Sequence, residues 1–109
     1  MDCIAETVYH EARGEGEHGM RAIAHVIINR ANEEGVSPCI IVRRPNQFAK
    51  PKKKITDWKS WKLAKLISEK PGWDFTKGAT YFHNYSVKPA WAYKFKVTYR
   101  FGGHIFYKP

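Results

Sequence analysis

Two hydrophobic periods divide this chain, and they do not mix. Between residues 17 and 35 the apolar side chains Met20, Ile23, Ala24, Ile27 and Ala31 recur at helical steps, which places them in one stripe. From residue 78 the character changes. Ala79-Thr80-Tyr81-Phe82 reads as a strand, and Tyr93 to Phe101, aromatic and alternating with Lys94, Lys96 and Arg100, reads as another. Gly102-Gly103 ahead of His104-Ile105-Phe106-Tyr107 is a hairpin turn signal. Helices first and a small antiparallel sheet after them make an α+β fold. At 109 residues the chain makes one domain, residues 1–109, with no repeat or linker.

Shorter signals complete the helical half. Ile4, Val8 and Ala12 fall at four-residue spacing, so residues 3–13 predict a helix that Gly14 and Gly16 break. Glu17 suits the positive end of the next helix, and Gly35 closes it. Ser37-Pro38 is a start signal for a short helix through about Val42, stopped by Pro45. Residues 49–55 are a basic loop. Thr56 is the expected cap of a helix to about Glu69 carrying Trp58, Trp61, Leu63, Leu66 and Ile67, and Pro71-Gly72 ends it.

Charge is distributed unevenly. Residues 1–34 hold seven carboxylates against three arginines, whereas residues 35–109 hold sixteen Lys and Arg against Asp57, Glu69 and Asp74. The net +9 implies attraction to a polyanion: nucleic acid, anionic lipid, lipopolysaccharide or the bacterial wall. An acidic cluster inside such a chain suggests acid chemistry on an anionic polymer. Cleaving a glycosidic bond needs a carboxylic acid that stays protonated near neutral pH. Glu11 stands at the end of the first predicted helix, whose negative terminus disfavours the ionised form. Its alternative is a solvated acid paired with Arg13 or Arg21. Glu15, four residues on, is either a second catalytic carboxylate or a group that holds its loop by hydrogen bonds.

Other chemistries find less support. His18 and His25, seven apart, lack a third ligand at metal spacing, and no metal or other cofactor is expected. Cys3 and Cys39 are expected to be free, buried thiols, with a disulfide open in an oxidising compartment. Lys50, Lys52, Lys53 and Lys54 beside the Trp-rich helix suit phosphates, so a basic nucleic-acid-binding module is the rival from another class. Membrane disruption by residues 50–67 is a third reading.

The run Ala5-Glu6-Thr7-Val8-Tyr9-His10-Glu11-Ala12-Arg13-Gly14-Glu15, followed by Gly19-Met20-Arg21-Ala22-Ile23-Ala24-His25-Val26-Ile27-Ile28-Asn29-Arg30, resembles the SleB/CwlJ-type cell wall hydrolases. Three later blocks resemble the same family in the same order: Asn46-Gln47-Phe48, Asp74 through Asn84, and Gly102 through Tyr107. Met20 stands where the family usually has Gln, and Gly102-Gly103 where it often has Gly-Asn.

The resemblance implies a lysozyme-like, lytic-transglycosylase-like fold and cleavage of peptidoglycan between N-acetylmuramic acid and N-acetylglucosamine. Glu11 matches the family's catalytic glutamate, acting as acid and then base to give a 1,6-anhydro end. A hydrolytic muramidase using Glu11 and Glu15 is the alternative. Gln47, Phe48, Tyr81, Asn84 and His104 are expected to line the sugar groove. The basic surface is expected to contact anionic wall polymer, lipopolysaccharide or membrane, with no specific nucleic acid and a monomeric state. No charged segment followed by an apolar run opens the sequence, so synthesis in a cytoplasm is expected. A bare catalytic domain of this kind resembles a phage endolysin released to the wall by a holin.

Overall fold

A computed structural model describes residues 2–44 and 54–109. Four helices come first: α1 (Cys3–Ala12), α2 (Gly16–Glu34), α3 (Pro38–Val42) and α4 (Trp58–Glu69). Three strands follow, β1 (Tyr81–Asn84), β2 (Lys96–Phe101) and β3 (His104–Lys108), in one antiparallel sheet ordered β1-β3-β2. The α+β architecture expected from the two periodicities is the one observed. Gln47 and Phe48, with Lys50, Lys52 and Lys53, lie outside the described residues.

α2 is the hub of the helical half. It buries the expected stripe of Met20, Ile23, Ala24, Ile27 and Ala31, and Ala22 and Val26 widen that stripe on one side. A helix apolar over so wide an arc is one that neighbours enclose, and α1, α3 and α4 all pack on α2. Its alanines keep those neighbours close, while Ile23 and Ile27 fill the volume between them. Truncating Ile27 to Ala should cost about 2–5 kcal/mol, read by chemical denaturation, because no solvent can enter the gap.

Both long helices flanking α2 are capped by aspartate. Asp2 Oδ1 accepts from the Ala5 amide at 2.9 Å, and its Oδ2 accepts from the Ser68 hydroxyl at 2.8 Å, joining the start of α1 to the end of α4. Asp57, not the expected Thr56, caps α4: its carboxylate accepts from the Ser60 amide at 3.1 Å. On α4, Ala64 and Ile67 face the core, while Trp58 and Leu66 face out.

The cysteines correct an expectation. Cys3 and Cys39 form a disulfide, their Cα atoms 5.2 Å apart. The short α3 packs against the start of α1, and that docking brings together two residues far apart in sequence. Spacing alone carries no trace of it.

Strand boundaries shift for local reasons. Ala79 precedes β1 outside the ladder: its amide donates to Thr76 Oγ1 at 3.3 Å and its carbonyl accepts from Asn29 at 3.0 Å. Pro89 opens a 3-10 turn over Ala90–Tyr93, so β2 begins at Lys96, not Tyr93. Trp91 stacks on Phe95 there, with ring centroids 5.4 Å apart.

Asp74 fastens the turn before β1 to α2. Its carboxylate accepts from Thr76 N at 2.9 Å, Gly78 N at 3.1 Å and Asn29 Nδ2 at 2.8 Å. Burial works to raise its pKa, but hydrogen bonds from Thr76 and Asn29 outweigh this and hold it below the ordinary 3.8. A carboxylate depressed in the folded state stabilises fully above its unfolded value and loses that contribution as pH falls through the folded one. Asp74→Asn should therefore flatten the fall in stability below about pH 4, measured as urea midpoint against pH.

Candidate active site

Glu11 stands, half-buried, in the last turn of α1. The position of that turn is set by Tyr9, which is 1% exposed. Its ring meets Trp61 of α4 edge-on, and its hydroxyl accepts from Asp57 N at 3.0 Å, Thr56 N at 3.3 Å and the Arg13 guanidinium at 2.9 Å. Burial pulls the phenol's pKa upward, yet these donors bring it below its ordinary value. Tyr9→Phe would leave two amides and a guanidinium without their acceptor, at a cost of about 1–3 kcal/mol. Thermal unfolding of that variant measures it.

The glycine pair does not separate α1 from α2 by a loop. A single 3-10 turn, Arg13–Glu15, leads from one to the other. It delivers Glu15 to the β2–β3 hairpin. Glu15 Oε1 accepts from the Gly103 amide at 3.0 Å, and His104 Nδ1 lies 2.9 Å from Oε1 and 3.0 Å from Oε2. Two glycines make the slot for this side chain. A Cβ on Gly19 would stand 2.6 Å from Glu15 Cβ, and one on Gly102 would stand 2.9 Å from Oε1. Those distances are too short for any other residue without moving the clasp. Gly19→Ala should therefore lower activity and expose the hairpin amides, read by hydrogen exchange.

The sheet sorts the remaining candidates by face. Asn84 pairs directly with His104, and a Cβ built on Gly103 would lie 3.5 Å from Glu15 Oε1 and 3.7 Å from Asn84 Nδ2. Glu15, Asn84 and His104 thus gather at the hairpin end of the sheet. Tyr81 does not join them. Three residues earlier on β1, it points to the other face. There it packs against Trp91 and Phe95 beneath the Arg30 guanidinium, 4.3 Å from the ring. Asn84 Oδ1 accepts from the Ser86 amide at 2.9 Å, which leaves its amide nitrogen toward the Glu15 side.

Sequence reading also missed His18. Its ring stacks on Phe75 with centroids 4.0 Å apart and hydrogen bonds the Tyr99 hydroxyl. It joins the first turn of α2 to β2, beside the Glu15 clasp. His25, seven residues on, donates to the Pro71 carbonyl at 3.2 Å. The signal for His18 was the aromatic density of β2, which predicts ring contacts without naming the partner.

Comparison with known proteins agrees with this architecture. The crystal structure of the catalytic domain of the Bacillus cereus SleB protein is 26% identical, with a TM-score of 0.76 over 98% of this chain and 88% of that one. The catalytic domain of the germination-specific lytic transglycosylase SleB from Bacillus anthracis is 28% identical, with a TM-score of 0.79 over 98% and 92%. No curated protein matches the sequence. The Cell Wall Hydrolase family model matches residues 14–107, beginning just after Glu11, whereas both structural alignments extend over nearly the whole chain. With its sequence matched over most of its length and its helices and sheet superposed on two such domains, the chain belongs to the cell wall hydrolase family.

Proposed function

We propose that this domain cleaves the glycan strand of bacterial peptidoglycan between N-acetylmuramic acid and N-acetylglucosamine, with Glu11 transferring the proton. The observation that carries the mechanistic choice is the engagement of Glu15. Both its oxygens are met by the Gly103 amide and the His104 ring. A carboxylate so occupied is a poor nucleophile or water base, which favours a reaction needing one carboxylate over the two that glycoside hydrolysis ordinarily uses.

In that reaction Glu11 donates its proton to the glycosidic oxygen as the bond to C1 of muramic acid breaks. The resulting carboxylate takes the proton of the C6 hydroxyl, and O6 closes on C1. The product carries a 1,6-anhydro ring, and Glu11 returns to its starting state without consuming water. Asn84 and His104, at the edge of the clasp, would meet the sugar hydroxyls or N-acetyl arms.

Mass spectrometry of the released muropeptides tests this reading. Anhydro ends, one water lighter than reducing ends, are expected; reducing ends would establish a muramidase instead. Glu15→Gln separates the same alternatives kinetically. It should lose less than about 100-fold as a supporting residue, and lose as much as Glu11→Gln if it acts on water. The family's activity also suits lysis of a host wall from within by a phage. Co-expression with a membrane-opening holin should then clear a culture that neither protein clears alone.

A further inference from the structure

His104 is 6% exposed, and its two ring nitrogens are treated differently. Nδ1 faces the Glu15 carboxylate, 2.9 Å from Oε1 and 3.0 Å from Oε2. Phe82 meets the ring edge-on, with centroids 5.3 Å apart. Among the described residues no group hydrogen bonds to Nε2. Buried polar side chains ordinarily have their hydrogen bonds made, so an open nitrogen on a ring this enclosed points to a partner from outside the chain.

The carboxylate decides what Nε2 can do. A carboxylate only accepts, so Nδ1 carries its proton toward Glu15, and in the neutral ring Nε2 is then a bare acceptor. The neighbour across the ladder has the opposite polarity. Asn84 pairs directly with His104, which puts both side chains on one face with Cβ atoms about 5 Å apart. Its Oδ1 is committed to the Ser86 amide at 2.9 Å, so its Nδ2 remains as a donor. The Asn84 backbone is fixed as well. Its carbonyl accepts from Val87 N at 3.1 Å and from His83 Nδ1 at 2.9 Å.

We propose that His104 and Asn84 together recognise an N-acetyl arm of the sugar. His104 Nε2 accepts from its N–H, Asn84 Nδ2 donates to its C=O, and Glu15 is the positioning residue that sets the His104 tautomer. The inference rests on a peptidoglycan substrate. A hydroxyl turns to suit either a donor or an acceptor and needs no such pair. A planar amide presents one donor and one acceptor, fixed in opposite directions. Amides of the peptide stems share that chemistry, but position favours the sugar. Glu15 follows Glu11 by four residues, at most about 14 Å of extended chain, so the pair stays close to the bond that Glu11 would protonate.

Binding is measured in the Glu11→Gln protein, so that cleavage does not enter. Stem-free glycan fragments, and the same fragments after N-deacetylation, are titrated into it with and without His104→Phe or Asn84→Leu. The Glu11→Gln protein should bind the acetylated form about tenfold more tightly, the scale of two modest hydrogen bonds, and each further substitution should remove most of that preference. Equal binding of the two forms overturns the proposal, as does a preference that survives either substitution. A preference confined to stem-bearing fragments overturns it in favour of a stem amide. Nitrogen NMR of the imidazoles reads the role of Glu15 without activity. The His104 ring, identified by its loss in His104→Phe, should show a protonated Nδ1 and a bare Nε2 at neutral pH. Glu15→Gln keeps Oε1 for the Gly103 amide and sets an NH2 group against Nδ1, so the proton should move to Nε2. A doubly protonated ring, or one that Glu15→Gln leaves unchanged, overturns the assignment. Cleavage of intact wall by the unsubstituted protein reports separately on the catalytic reading.

Discussion

The Glu11→Gln protein is expected to fold normally and to lose about two to four orders of magnitude in turnover on purified peptidoglycan, the range a single proton-transfer group supplies. The substitution keeps the size of the side chain in the last turn of α1. The Tyr9 anchor, which fixes that turn through Trp61 and the Thr56 and Asp57 amides, is untouched. Circular dichroism and melting temperature should therefore match the parent while turbidity clearance disappears. A Glu11→Gln protein that still clears purified walls would remove Glu11 from the mechanism. Lysis of whole cells that survives this change, with purified walls left intact, would point to the membrane reading of residues 50–67.

Reduction of the Cys3–Cys39 bond, or its replacement by serines, should remove about 4 kcal/mol of stability. The bond closes a loop with a sequence separation of 36, and the value follows from the chain entropy such a loop loses. Against a typical total of about 5–15 kcal/mol, that is a large share. Urea titration with and without reductant measures it, and a thiol assay on unfolded protein should find two thiols only after reduction. A protein whose midpoint ignores the reductant contradicts the pairing. Since reducing compartments keep thiols apart, the domain is expected to be less stable in a reducing compartment than in an oxidising one.

The parts legible in the sequence were those encoded locally. The apolar steps of α2, Gly35 after it, the Ser37-Pro38 start of α3 and the Gly102-Gly103 turn each carry their own signal within a few residues. Glu11 and Glu15 stood out as acids in a basic chain. What the sequence hid depends on contacts between distant segments. The Cys3–Cys39 bond needs α3 docked on α1. The clasp needs residue 15 beside residue 103. Tyr81 and Asn84 were grouped as groove residues, but strand alternation sends them to opposite faces. The cap of α4 was misread by one position because Thr56 and Asp57 both qualify by type, and only geometry shows which side chain meets Ser60.

The clasp has a consequence for how the enzyme comes into being. Its amide and imidazole half follows its acidic half by 88 and 89 positions in the chain. A ribosome releases Glu11 and the whole helical half long before Gly103 and His104 emerge. During that interval the nascent chain holds Glu15 without the hairpin groups that engage its carboxylate. The clasp can therefore close only after the hairpin has been made, and a chain that stops before Gly103 keeps Glu15 without either of these partners.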